Sequence, residues 1–200
     1  MKRQMTVCIL IVFLTIPLAS YAATPLETVR ADINKVLDVL RDQSLKGEAG
    51  KKTKKTKIRA LANGMFDYGE LSRRTLGLHW KKLDPAQQKE FIDLYASLLE
   101  ETYANRILSY SNEKVMYGKE RSLSEKTVEV QTTIVTTNQT DIPINYRVIN
   151  KGGDWKVYDV VIEGVSLINN YRTQFNEILA NKPPAALLDI LRKKVGGQGK

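Results

Sequence analysis

"WKVYDVVIEGVSLINNYRTQF", residues 155–175, decides how the rest of the chain must fold. Its first half, to about Glu163, carries apolar residues at period two and reads as a strand. Apolar residues fall on both faces of that strand, so both faces are expected to be covered. From Ser166 onward the period changes. Leu167, Tyr171, Phe175, Ile178 and Leu179 share one face of a helix that Ser166 caps. Almost no loop separates the two elements, and no set of catalytic groups lies between them.

Upstream, three more strands are expected at about 113–119, 126–137 and 142–150, ahead of the one at 154–163. Their links, "ERSLSE", "TTNQTD" and "NKGGD", are short and polar, so consecutive strands form antiparallel hairpins. Helices come first. Thr24, Pro25 and Glu27 form a start signal, and Leu26, Val29, Ile33, Val36, Leu37 and Leu40 follow at helical spacing. A second helix is expected from about Lys52 to Ala62, stopping at Asn63-Gly64. A third starts at Asp67 and stops at Gly77. Asp84, Pro85 and Gln87 open a long helix that reaches about Ser109, with Phe91, Leu94, Tyr95, Leu98, Leu99 and Tyr103 as a wide apolar stripe. Pro183-Pro184 breaks the chain before a short helix at about 185–194. Helices followed by strands predict an α+β domain, a four-stranded antiparallel meander with helices packed on one face.

Residues 1–22 read as a secretory signal peptide: Lys2 and Arg3, an apolar run from Val7 to Leu18, and small residues before a cut near Ala22. That run is shorter than the ~20 residues a membrane span needs. The expected organisation is therefore a signal peptide at 1–22, a single domain at 23–195 and a disordered tail at 196–200. Cleavage leaves 178 of the 200 residues, lowers the formal charge from +9 to +7 and removes Cys8, the one cysteine. An exported chain without cysteine is held by packing alone and has no thiol nucleophile or thiolate metal site.

The chemistry of the mature chain is sparse. His79 is the single histidine and has no nucleophile near it in sequence; a hydrolase built on it is the weakest reading. No His, Asp and Glu spacing suggests a metal, and no cofactor is expected. "NKGGD", 150–154, joins two strands, whereas a phosphate cradle leads from strand to helix. Glu100-Glu101 read as solubility groups, and "NQT", 138–140, is a glycosylation triplet that chance supplies often. The lysine cluster "KKTKKTK", holding Lys51, Lys52, Lys54, Lys55 and Lys57, lacks the interleaved aromatics of a nucleic-acid surface. It suits docking to a membrane or an acidic partner, or equally the solvated side of a helix.

One face of the sheet is apolar. Val128, Val130, Thr132 and Ile134 alternate along one strand, Ile142, Ile144, Tyr146 and Val148 along the next, and Tyr158, Val160 and Ile162 along the last. The pattern fits a filled core as well as a cavity.

"FDYGELSRRTLGLHWKKLDPAQQKEFIDLYASLLEETYANRI" and "WKVYDVVIEGVSLINNYRTQFNEIL" together resemble the MlaC family, also described as toluene-tolerance or ABC-transporter auxiliary proteins. The most specific parts are Phe66-Asp67-Tyr68, Leu76-Gly77, "DPAQQKEF", and Tyr158-Asp159 leading to Glu163-Gly164-Val165-Ser166. At the "DPAQQ" helix start Asp84 stands where the family often has Thr, and Gln88 where it often has Arg. The resemblance implies a curved sheet wrapped by helices, a nuclear-transport-factor-like cone with an internal apolar pocket. It implies a monomeric periplasmic phospholipid carrier, not an enzyme, working between an outer-membrane lipoprotein–porin complex and an inner-membrane MCE-domain protein of an ABC transporter. Such a system maintains the lipid asymmetry of the outer membrane. A hopanoid or other polycyclic lipid carrier of the same family, and a transporter adaptor with a filled core, are the alternatives. The lipid pocket is then expected at Leu94, Leu98, Val128, Val130, Ile134, Ile142, Ile144, Tyr146, Val148, Tyr158, Val160 and Ile162, with docking at the five lysines.

Overall fold

The structure is a computed structural model that describes residues 23–110, 113–136 and 140–197. The expected signal peptide, Cys8 and the first two residues of "NQT" lie outside the described residues. Among the described residues six α-helices and a five-stranded sheet appear in the order α1 (Pro25–Arg41), α2 (Gly47–Met65), α3 (Tyr68–Leu76), a 3₁₀ turn (Gly77–Lys82), α4 (Pro85–Ser109), β1 (Lys114–Ser124), β2 (Thr127–Val135), β3 (Asp141–Lys151), β4 (Asp154–Ile162), β5 (Val165–Ser166), α5 (Leu167–Asn181) and α6 (Pro184–Gly197). The strands lie side by side in chain order and every pair is antiparallel, which is the meander that the short links predict.

The stretch 155–175 also holds the fifth strand, which sequence reasoning missed. Val161 and Ile162 pair with Ser166 and Val165 around a two-residue turn at Glu163-Gly164. Both turn residues have positive φ, 49° and 83°, a conformation that glycine adopts freely and that matches the twist of a tight hairpin. The turn leads straight into α5, whose N-cap Ser166 accepts from the Asn169 N–H at 3.2 Å.

Asp159 binds this turn to the sheet. Its carboxylate accepts from Ser166 Oγ at 2.7 Å and from the Ile168 N–H at 3.1 Å, so one side chain serves both β4 and the start of α5. It is also the last member of a charged row. Arg121, Glu129, Arg147 and Asp159 stand directly opposite one another across β1 to β4, and each neighbouring pair is bonded. Glu129 and Asp159 are buried to 3% and 1% exposure. Alternating charge favours this register, because slipping one strand by a residue would leave buried charges unpaired.

The start and stop signals hold where a side chain can cap. Thr24 and Asp84 form complete capping boxes and Asp67 caps α3. Gly77, at φ 54°, ends α3 in a conformation closed to other residues without strain. Gln88 donates to the carbonyls of Trp80 and Leu83 at 3.1 and 3.2 Å, tying the unforeseen 3₁₀ turn to α4. Several boundaries differ from expectation, and α2 already starts at Gly47 rather than near Lys52. α2 continues through Asn63-Gly64 to Met65, where the Phe66 backbone bridges to Val157 on β4. β1 runs on to Ser124 because two irregularities let it stay paired with β2 past Tyr117. α6 extends to Gly197, so Gly196 and Gly197 of the expected tail are helical, and residues 198–200 lie outside the described residues.

α4 is apolar on more than one side because it is covered on more than one side. Phe91 and Tyr95 meet Tyr171 and Phe175 of α5 in ring contacts at 5.2 to 5.7 Å. Leu187, Leu188 and Leu191 of α6 join the same core. On the sheet side this core takes Val130, Val148, Val157 and Val160.

A candidate lipid cavity

The inner face of the sheet is filled along part of its length and open along the rest. Cross-strand register divides it into layers: Val128, Val148 and Val157; then Val130, Tyr146 and Val160; then Thr132, Ile144 and Ile162; then Ile134 and Ile142. In the first layers Val130, Val148 and Val157 are closed off, at 0%, 1% and 2% exposure. From Tyr146 and Val160 of the second layer onward helix and sheet separate, and a cavity of ≈ 530 Å³ opens between them. That lies within the ordinary range for a ligand pocket.

Four walls bound it. The sheet contributes Ile134, Ile142, Ile144, Tyr146, Val160 and Ile162, with Val115 and Thr132. α1 contributes Ile33, Val36, Leu37 and Leu40; α2 contributes Ile58, Ala62 and Met65; α4 contributes Leu99, Tyr103 and Ile107. Their spacings, three and four apart, place each set on one helix face. Phe66 and Leu167 complete the lining. α1 is held across the sheet by polar contacts. Glu120 of β1 accepts from the Leu26 N–H at 2.6 Å, Tyr117 donates to Asn34 Oδ1 at 3.2 Å, and Arg30 lies over the Tyr117 ring at 4.7 Å. Burial raises the phenol pKa of Tyr146 and, less strongly, of Tyr103 and Tyr117, so all three stay uncharged at neutral pH.

Six of the twelve expected pocket residues line this cavity: Ile134, Ile142, Ile144, Tyr146, Val160 and Ile162. The other six do not. Val130, Val148 and Leu98 are buried in the packed core, and Val128 and Leu94 pack against it. Tyr158 falls where the β3–β4 register shifts, so that Val157 pairs with Val148; its ring lies under the Arg74 guanidinium at 4.3 Å. Strand alternation gives the face of a residue and not whether the opposing layer is packed, which is why Val148 and Ile144 look equivalent in sequence. The α1 and α2 walls were missed altogether. Their signal was present as the stripe Ile33, Val36, Leu37 and Leu40, which reads equally as ordinary core.

The polar residues gather between α2 and α4, where Lys55, Arg59, Asn63, Asp93, Ser97 and Glu100 border the cavity, and near Arg106, Tyr110 and Glu113. Of the five expected docking lysines, Lys54 donates to the Leu40 carbonyl and Lys57 stands 3.8 Å from Asp42. Lys51, Lys52 and Lys55 are exposed. His79 is partly buried on the 3₁₀ turn, outside the cavity lining. Among the described residues no three His, Cys, Asp or Glu come together as a metal site, and no helix is long and apolar enough to cross a membrane.

A family model described as "MlaC protein" matches residues 30–193. In sequence the chain resembles the intermembrane phospholipid transport system binding protein MlaC of Haemophilus influenzae, at 31% identity over 48% of this chain and 47% of that protein, so the match spans about half the length of that relative. It also resembles the toluene tolerance protein ttg2D of Pseudomonas putida, at 22% identity over 86% of this chain and 80% of that protein. Among solved structures it matches a phospholipid-binding protein from Ralstonia solanacearum in complex with a phospholipid. That match has a TM-score of 0.78 and 25% identity, and covers 89% of this chain and all of the other.

Proposed function

The chain belongs to the MlaC family, and on that footing we propose that it is a periplasmic phospholipid carrier. The observation that carries the reading is the cavity of ≈ 530 Å³ between α1, α2, α4 and the open end of the sheet, whose walls are mostly aliphatic and aromatic. A transporter adaptor with a filled core would have no use for such a space. Two acyl chains present on the order of thirty methylenes, each worth ~0.8 kcal/mol against water. Lipid therefore crosses an aqueous compartment only when its chains are shielded. A dry cavity that matches the bilayer interior makes transfer nearly isoenergetic, so the mechanism needs shelter and docking and no catalytic step.

In this reading residues 1–22 direct export and are removed, and the monomer moves lipid between an outer-membrane lipoprotein–porin complex and an inner-membrane MCE-domain protein of an ABC transporter. Ile134, Ile142, Ile144, Tyr146, Val160 and Ile162 form the sheet-side contact with acyl chains. Lys51, Lys52 and Lys55 supply positive charge for docking to an acidic surface, with Lys54 and Lys57 beside them. The similarity to a protein bound to phospholipid supports phospholipid over a polycyclic cargo.

The test is to purify the protein without added lipid and examine it by native mass spectrometry, followed by extraction and lipid identification. Co-purified diacyl phospholipid at near one molecule per chain is expected. A chain that is lipid-free after gentle purification and takes up none from vesicles would refute the carrier reading. Recovery of a polycyclic lipid in its place would refute the cargo assignment.

A further inference from the structure

The cavity rim between α2 and α4 carries opposite charges on its two lips. Lys55 and Arg59, four residues apart, stand on α2; Asp93 and Glu100, seven apart, stand on α4; all four border the cavity. Arg59 Nε donates across the rim to Glu100 Oε2. The other carboxylate oxygen, Oε1, is shut off from solvent and has no hydrogen-bond partner among the described residues. The Glu100 side chain as a whole is 18% exposed. A buried carboxylate oxygen without a donor is costly, so one is expected to be met when the site is in use. Beside it Tyr68 lines the cavity, its ring stacked on Phe66 at 5.5 Å. Burial, and next the charge of Glu100, push its phenol up to about 12, so it remains an O–H donor. The rim thus offers cationic donors on α2, a carboxylate acceptor on α4 and a hydroxyl donor at Tyr68 beside that carboxylate.

Resting on the lipid-carrier reading, we infer that this rim recognises a phosphoethanolamine headgroup, with its phosphodiester against Arg59 and Lys55 and its primary ammonium donating to Glu100 Oε1. The acyl chains of the same molecule would fill the cavity behind it. Choline carries the same charges but no N–H, so it cannot satisfy the carboxylate oxygen. Glycerol has hydroxyl donors but no positive charge to set against Glu100.

The test uses the purified, lipid-stripped protein. It is incubated with vesicles holding equal shares of phosphatidylethanolamine, its N-methyl and N,N-dimethyl derivatives, and phosphatidylcholine, all with the same acyl chains. Bound lipid is then quantified by mass spectrometry. The three lipids that retain an N–H are expected to be taken up roughly threefold or more over phosphatidylcholine, a modest factor because the site is partly hydrated. The break should fall between the dimethyl and trimethyl headgroups. Glu100→Gln keeps the side-chain size and should bring the four lipids to parity. Equal uptake of all four lipids by the unmodified protein overturns the inference while the carrier reading stands; uptake of none overturns both. Retention of the full preference by Glu100→Gln also overturns it. If that variant fails to fold, the methylation series on the unmodified protein decides alone. Excess glycerophosphoethanolamine, which has no acyl chains, should leave bound lipid in place. Displacement would make a soluble phosphodiester the ligand and overturn the assignment to a lipid headgroup.

Discussion

Ile144 and Val148 lie four residues apart on β3, on the same face of the sheet, and they should respond oppositely to one substitution. Val148 is 1% exposed and belongs to the packed core, whereas Ile144 is partly exposed and borders the cavity. Val148→Trp must force an indole between layers already in contact. Overpacking of that kind costs about 1–3 kcal/mol, and a change this large lies at or beyond the top of the range. For a domain of this size ~3 kcal/mol lowers Tm by about 6–12 °C. Ile144→Trp points its indole into a space of ≈ 530 Å³. Compared lipid-free, its Tm should stay within about 4 °C of the parent, the shift that ~1 kcal/mol produces. Its loss should appear in the lipid. A ligand at a hundred times its Kd stabilises the native state by about 2.7 kcal/mol, and an indole that displaces acyl chains removes much of that increment. The assay is a thermal melt of each variant before and after incubation with vesicles, alongside bound-lipid quantification. The reasoning fails if Ile144→Trp melts as low as Val148→Trp without lipid, or if folded Ile144→Trp takes up as much lipid as the parent.

Stripping co-purified lipid from the parent protein should lower its Tm, and adding phospholipid vesicles should restore it, because ligand that binds only the folded state stabilises it by mass action. Changing Lys51, Lys52, Lys54, Lys55 and Lys57 together to Gln should slow lipid delivery to anionic vesicles more at low salt than at high salt, with Tm nearly unchanged, since exposed charge pairs contribute about 0–1 kcal/mol. Equal delivery rates at every ionic strength would make these lysines a solvated face. For Glu129, burial opposes ionisation, but the hydrogen bonds from Arg121 and Arg147 outweigh it and hold the pKa below the usual carboxylate range. A lowered folded-state value means stability that is present above the unfolded pKa and lost as pH falls through the folded one. Glu129→Gln should therefore cost about 1–3 kcal/mol at pH 7. It should also flatten the fall in urea midpoint below about pH 4.3, the ordinary Glu pKa; a variant whose acid limb overlays that of the parent refutes the assignment.

Much of the fold was legible because its signals are local. Thr24, Asp67, Asp84 and Ser166 cap their helices through bonds that span three residues, and such bonds form wherever the chain turns that way. Period-two patterning and short polar links were enough for an antiparallel meander in chain order. Expectation missed where neighbouring strands and turns bent the local pattern, and at α2 where a partner distant in sequence extended it. α2 outran its Asn-Gly stop to reach a backbone bridge with Val157, and β1 outran its link by pairing with β2 around bulges.

The sequence by itself determined which face of the sheet is apolar and which faces of the helices are apolar. Only the tertiary structure decided where those faces touch. At Val148 opposing layers meet and exclude everything; at Ile144, on the same strand and face, they part and leave a cavity. The difference arises from the combined paths of α1, α2 and α4 over a twisted sheet, each set by contacts scattered along the chain. Glu120 on the Leu26 N–H is one, and Arg59 on Glu100 is another. Apolar patterning reports only a preference for leaving water. Protein core and acyl chain satisfy that preference equally, so the boundary between them is a property of packing and not of any single stretch of residues.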